Sequence, residues 1–276
     1  MAPLRHRLAA SAAFVAGLSL LLIIMIMALV GPWAYPQGPW PMVGAPMTWP
    51  GTDPARPLGT DALGRDMLAG LLFGSRVTLL IGVCATAAAL AVGIVVGALA
   101  GARGGWVDDC LMRMTDAVQT VPPFLLAIVV VLIVKPSVVS IVGAIALISW
   151  PTVARLVRAE FMRLREADFV SACKVMGMSP ARLMLVQMLP NALPAIVVSA
   201  SIMVASAILI ESGLAFLGLG DPNVMSWGTM VGLGRSDFRA GWYLVVVPGI
   251  AIMIAVLAFN LLGDGLNDAL NTRLPT

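Results

Sequence analysis

The feature that most constrains this chain is a series of apolar runs, each long enough to cross a bilayer. Spanning the hydrocarbon core takes about 20 largely uncharged residues. Runs near that length fall at roughly 10–30, 77–101, 117–134, 138–154, 193–211 and 242–262. The third and fourth are short and parted only by Lys135-Pro136-Ser137, which reads as a tight outer hairpin. Only 11% of the residues are charged and 60% are hydrophobic, whereas soluble domains carry about 25% charged residues. A water-soluble domain is thereby excluded, and an all-α, polytopic membrane protein with six transmembrane helices is expected.

The first run follows Arg5 and Arg7, as a signal peptide would. It exceeds the apolar length of such peptides, and no small-x-small cleavage site closes it, so an uncleaved first helix is expected. Lys and Arg set the orientation. Arg155, Arg158, Arg163, Arg165, Lys174 and Arg182 crowd the single segment 155–190, which marks it as cytoplasmic and puts both termini inside. Arg56, Arg65, Arg76, Lys135, Arg235 and Arg239 are left outside.

Residues 31–57 are dense in Pro, Gly and Trp and read as an extended outer surface loop. In the following stretch Thr60 or Asp61 can cap a helix, Asp61 and Arg65 stand four apart, and Leu63, Met67, Leu68, Leu71 and Leu72 form one apolar stripe. A short amphipathic helix on the outer surface is expected, with Asp61, Arg65 and Asp66 as its contact residues. Between the fourth and fifth spans, a kink is expected at Trp150-Pro151. Residues 171–176 then favour helix and Gly177 terminates it. Ser179 can cap a second helix with Pro180 at its first position, ending at Leu189-Pro190. The product is a blunt helix–turn–helix knob; a basic loop that only satisfies the charge rule is the simpler alternative.

Gly93, Gly97 and Gly101 recur every four residues on the second span and allow close approach of another helix. Ser199, Met203 and Ser206 share one face of the fifth span and suit interhelical hydrogen bonding. Asp116 and Glu211 fall at helix ends, and Asn260 is the main polar residue deep in a span, so a proton- or sodium-coupled carrier is disfavoured. Cys84, Cys110 and Cys173 have no metal or redox spacing, and neither Lys135 nor Lys174 follows a glycine, so no phosphate-cradling P-loop exists.

Several stretches carry a family resemblance in chain order. Ala172 and Gly177 with Leu189-Pro190 resemble the cytoplasmic coupling loop of ATP-binding-cassette importers. Gly59-Thr60-Asp61-Ala62-Leu63-Gly64-Arg65-Asp66 with Gly74-Ser75-Arg76 resembles the segment before the second span in permeases of the dipeptide/oligopeptide/nickel family. Residues 211–220, opening on Glu211-Ser212-Gly213, with Trp227-Gly228 resemble its loop after the fifth span. Residues 258–264 with Asp268, Arg273 and Leu274 resemble its C-terminal signature. The chain departs from the pattern at Ser171, where an acidic residue is usual, at Cys173, where a second alanine is usual, and at Asn267 and Asn271.

The resemblance is to the C-type permease subunit of that family, and it implies a type I importer transmembrane domain with cytoplasmic coupling helices. The expected division is an N-terminus and first helix over 1–34, an extracytoplasmic loop over 35–73, a five-helix transmembrane domain over 74–264 containing coupling loop 155–190, and a tail over 265–276. The resemblance implies an ATPase-coupling role for Ser171, Ala172, Cys173, Gly177, Met178, Ser179 and Pro180. It would let Ser199, Met203, Ser206 and Asn260 line a substrate path. It implies a homologous second permease, two ATPase domains that bind ATP and Mg, and an extracytoplasmic solute-binding protein, all at a bacterial cytoplasmic membrane. No metal site, cofactor or nucleic acid is expected in this chain. Peptides are the expected cargo, with nickel or a metal chelate as the alternative; a gradient-driven carrier is the competing class.

Overall fold

The computed structural model describes residues 11–270. Arg5 and Arg7, and Asn271, Arg273 and Leu274 of the tail, lie outside the described residues. Helix α1 covers Ala12–Ala34, α2 Met67–Arg103, α3 Gly105–Gln119, α4 Pro123–Val134 and α5 Val138–Arg165. A short helix α6 (Asp168–Val175) leads to α7 (Pro180–Phe216), and α8 (Trp227–Gly234) precedes α9 (Tyr243–Leu270). Five of these are long and apolar enough to cross a membrane, and the bent pair α3–α4 makes six if it is counted as one span.

The expected third span is the one that differs most. At about 1.5 Å per residue, the 12 residues of α4 reach well short of the hydrocarbon thickness. The 15 residues before the break form the separate amphipathic helix α3, turned 78° from α4. Pro122 and Pro123 cause the break: Pro122 lies extended at φ −52°, ψ 126° and Pro123 opens α4. Residues before proline are driven out of the helical region.

The other prolines do not interrupt their helices. The expected kink site, Pro151, lies inside the 28-residue α5, which runs eleven residues past the expected end at 154, to Arg165. Nor does Leu189-Pro190 end a helix. Residues Leu183–Met188 form a π-helical turn, with the Leu189 N–H donating to the Met184 carbonyl, and the helix continues to Phe216. The widened turn accommodates a residue that has no N–H to donate and would crowd a regular ladder.

Close packing of α2 on α5 organises the centre. A Cβ on Gly93 would sit 2.4 Å from the Val153 Cβ, on Gly97 2.4 Å from the Ala154 carbonyl oxygen, and on Gly101 2.6 Å from the Arg158 carbonyl oxygen. The expected glycine stripe is therefore a helix-packing seam. At the α1–α9 contact Gly17 does the same against Ala258 and Leu262. Outward, the molecule shows large apolar side chains such as Leu29, Leu132, Ile133 and Met253, a surface suited to lipid or another membrane subunit.

Residues 35–66 are a folded cap, not an extended loop. The Tyr243 hydroxyl, buried, lies 2.8 Å from the Thr60 carbonyl and 3.0 Å from that of Thr48. Thr60 is fully buried, its Oγ1 donating to the Ala45 carbonyl and accepting from the Thr48 N–H. Gly59 and Gly64 hold φ +74° and +78°, and a Cβ on either would strike a backbone carbonyl at 2.2 or 2.3 Å. Neither Thr60 nor Asp61 caps a helix. Asp61 Oδ1 accepts from the Leu63 and Arg65 N–H groups in a tight turn, and α2 begins only at Met67. The cap residue is Asp66, whose Oδ1 accepts from Leu68 (2.8 Å) and Ala69 (3.4 Å). Asp66→Ala is expected to cost about 1 kcal/mol and to lower the melting temperature by a few degrees, with Asp66→Asn close to wild type. Equal melting of all three proteins would remove the capping role.

Candidate functional site

The end of the molecule away from the cap carries a compact knob. Helix α6 starts at Asp168, whose carboxylate suits the positive end of a helix, and closes with Lys174 in its last turn. Its end is a Schellman motif: Gly177 N–H donates to the Lys174 carbonyl at 3.0 Å and Met178 N–H to the Cys173 carbonyl at 3.1 Å. Gly177 sits at φ +76° with open space where a Cβ would stand. Glycine is needed here for its backbone conformation, with no steric neighbour involved. Ser179 stands at the next N-cap with extended backbone, and Pro180 follows at the first helical position, but the Ser179 side chain makes no capping bond.

The knob has an inner and an outer side. Val170 and Cys173 are buried in one cluster with Val157, Phe161 and Leu164 of α5 and with Leu183 and Met188 of the π turn. Cys173 is only 8% exposed, and Met178 packs against the same cluster. These two of the expected coupling residues therefore anchor the knob from within, while Ser171, Ala172, Gly177, Ser179 and Pro180 face outward. Two exposed residues were missed by sequence reasoning: Val175, 89% exposed, and Met176, 74% exposed. Their signal was an apolar pair inside an otherwise polar, water-facing segment.

Two ion pairs extend the same end sideways. The Arg158 guanidinium of α5 donates from Nε and Nη2 to the two carboxylate oxygens of Asp108 on α3, at 2.5 and 2.6 Å, and Arg155 bonds Asp116 at 2.6 Å. The bidentate pair is partly buried and fixes orientation; the exposed one adds little energy. Together they tie α3 to the helix on which the knob is mounted.

At the cap end, Glu211 was expected at a helix end. It lies inside α7, which continues to Phe216, and is 1% exposed. Its Oε1 accepts from the Ser226 hydroxyl at 2.6 Å. Ser226 also caps α8, accepting from the Thr229 N–H at 3.0 Å. Beside it, Trp227 is fully buried, donates its indole N–H to the Leu71 carbonyl at 2.8 Å, and packs where a Gly74 Cβ would lie 2.7 Å away. The motifs around Gly74, Glu211 and Trp227 are thus one packed structure. Asp61, Arg65 and Asp66 are likewise drawn inward by their turn and cap. Along α7, Ser199 and Met203 are half-buried and Ser206 is exposed, its hydroxyl bonded to the Ile202 carbonyl. Asn260 is half-buried on α9, and among the described residues no hydrogen bond joins it to that row.

Residues 93–275, which hold the seam, the knob and α9, match the model of the family described as "Binding-protein-dependent transport system inner membrane component". The chain belongs to that family. As a permease of this kind it is a multi-pass inner-membrane subunit of an ATP-binding-cassette importer, and it works within a larger assembly. It is similar to the "Di/tripeptide transport system permease protein DppC" of Pseudomonas aeruginosa, 40% identical over 94% of this chain and 87% of that protein. It is also similar to the "Dipeptide transport system permease protein DppC" of Haemophilus influenzae, 37% identical over 94% and 90%, and to that of Bacillus subtilis, 34% identical over 94% and 81%. The fold matches a solved inward-facing structure of the MetNI methionine ABC transporter with TM-score 0.60 and 18% identity, over 72% of this chain and 94% of that one. The expected type I importer architecture is borne out by this match and by the helical topology.

Proposed function

We propose that this permease carries di- and oligopeptides into the cell as one of two homologous membrane subunits. Two ATPase subunits, which hold ATP and Mg, dock at the knob, and an extracytoplasmic binding protein delivers substrate to the cap. Both termini then lie in the cytoplasm. The observation that carries the coupling role is the knob itself: an exposed apolar tip at Val175 and Met176, closed by Gly177, whose inner side is wedged between α5 and the π turn of α7. Whole-length similarity to di- and tripeptide permeases supports peptides as cargo.

Mechanically, a push on the tip reaches two spans at once through Val170, Cys173, Leu183 and Met188. From α5 it passes along the glycine seam to α2 and through the Arg158–Asp108 pair to α3. ATP binding and release would shift the helices between inward- and outward-facing states by differential docking of the motor. The Ser199, Met203 and Ser206 row, with Asn260, is the proposed path lining.

The test is uptake of labelled dipeptide, longer peptide and nickel by cells with and without this gene, with ATP depletion as control. ATP-dependent loss of peptide uptake is expected. Loss of nickel uptake alone would move the cargo to a metal, and uptake indifferent to ATP would remove the importer mechanism.

A further inference from the structure

Helix α3 presents three chemically different sides. One packs inward: Thr115 is fully buried, Asp108 is held by Arg158, and Val118 lies against the cluster of Ala89, Trp150 and Ala154. The exposed remainder divides along the helix. At about 100° per residue, Trp106, Cys110, Met114 and Ala117 fall on one exposed flank, and Asp109, Arg113 and Asp116 on the other. The first flank is apolar and open, with Trp106 80% exposed. The helix is turned 78° from α4, and beyond the bend exposed apolar side chains continue through Val121 to Leu125, Val129 and Leu132.

We propose that α3 lies in the membrane interface on the knob side, with the flank of Trp106, Cys110, Met114 and Ala117 in lipid and that of Asp109, Arg113 and Asp116 in water. Three observations favour lipid over a protein partner. The exposed side changes from apolar to charged along a line parallel to the helix axis, as a boundary between two solvents requires. Tryptophan, whose ring is apolar and whose N–H is polar, is enriched at that boundary, and Trp106 stands on the apolar flank. The flank is also continuous with the exposed apolar face of α4, so the two form one surface. The inward side is fastened to α5 by Arg158–Asp108 and Arg155–Asp116, so this lipid contact bears on the helix that carries the knob. The placement of α3 is independent of the cargo.

The experiment uses the complete importer in nanodiscs of phosphatidylethanolamine and phosphatidylglycerol. A nitroxide label is attached at native Cys110, exposed in the structure, after Cys84→Ser removes the other exposed thiol. Further labels go on Trp106→Cys, Met114→Cys, Asp109→Cys and Arg113→Cys, each with Cys84→Ser and Cys110→Ser; those two replacements alone report stray labelling of the buried Cys173. Power saturation then compares collisions with oxygen, which concentrates in lipid, and with a nickel chelate confined to water. Oxygen is expected to dominate at 106, 110 and 114 and the chelate at 109 and 113, so the ratio reverses across the helix. The reading at Cys110 needs no substitution on α3 and stands even if the Trp106 variant fails to assemble. Chelate-dominated collisions on both flanks put the whole exposed side in water and overturn the proposal. Oxygen-dominated collisions on both place the helix inside the hydrocarbon and overturn it too. Loss of both kinds of collision at 106, 110 and 114 means that a protein subunit covers the flank instead of lipid. Access regained after the ATPase subunits are stripped assigns that cover to them, and access still lost assigns it to the second permease.

Discussion

Gly177→Glu is expected to leave the protein in the membrane and to stop transport. The residue holds φ +76° at the end of α6, and nothing lies within 4 Å of where its Cβ would be. The cost is therefore conformational, about 1–2 kcal/mol for an L-residue in that region, which depopulates the Schellman turn by roughly 5- to 30-fold. The turn is what sets Val175 and Met176 at the tip and keeps Cys173 in the cluster. A carboxylate beside an apolar docking tip adds a desolvation cost when the partner closes. Gly177→Asn, which tolerates the left-handed region, should retain most activity, and Gly177→Ala should fall between. The measurement is peptide uptake, and peptide-stimulated ATP hydrolysis in the assembled importer, normalised to membrane level by immunoblot. Full uptake by Gly177→Glu would remove the coupling role of the knob.

Gly97→Leu is expected to prevent normal folding. Even the first side-chain carbon would stand 2.4 Å from the Ala154 carbonyl oxygen and 2.8 Å from the Val157 Cβ. A backbone carbonyl in the middle of a helix cannot step aside, so α2 and α5 must separate along the whole seam from Gly93 to Gly101. Overpacking costs about 1–3 kcal/mol where neighbours can adjust, and more here. A fall of roughly 10 °C in apparent melting temperature in detergent, or loss of the protein from the membrane, is the expected reading. Gly143 on α5 provides the internal control, since nothing lies within 4 Å of its Cβ position. Gly143→Ala should melt at or above wild type, because alanine costs less chain entropy in a helix. Similar melting of Gly97→Leu and Gly143→Ala would show that the two helices do not approach this closely.

Much of the fold was legible because lipid makes the code simple. A helix must satisfy its backbone internally in hydrocarbon, so an uninterrupted apolar run of sufficient length has one outcome. The runs near residues 10–30, 77–101 and 242–262 match helices in the structure, each extending beyond its run. The third run misled because a count of apolar residues does not register a break: Pro122 and Pro123 fall inside it, and the chain bends there by 78°. Pro190 misled in the opposite direction. A π turn before it carried the helix through a residue that local rules treat as a stop.

For the site, the sequence by itself determined the knob's position, its glycine turn and the close-packing glycine seam. Each of those follows from a local rule: left-handed backbone at Gly177, small residues four apart, and basic residues gathered on one side. What only the tertiary structure decided was which side of each element faces a neighbour. Cys173 turned inward and Val175 outward because α5 and the π turn cover one face of α6. Glu211 and Ser226 met across fifteen residues, and Thr60 and Tyr243 across 183. Arg65 came to lie over the Trp40 ring, with Asp61 Oδ2 3.8 Å from its Nε. Such pairings depend on where distant segments come to lie. The chain's periodicity specifies a helix and its apolar length, but it carries no term for the neighbour that the folded molecule will put against it.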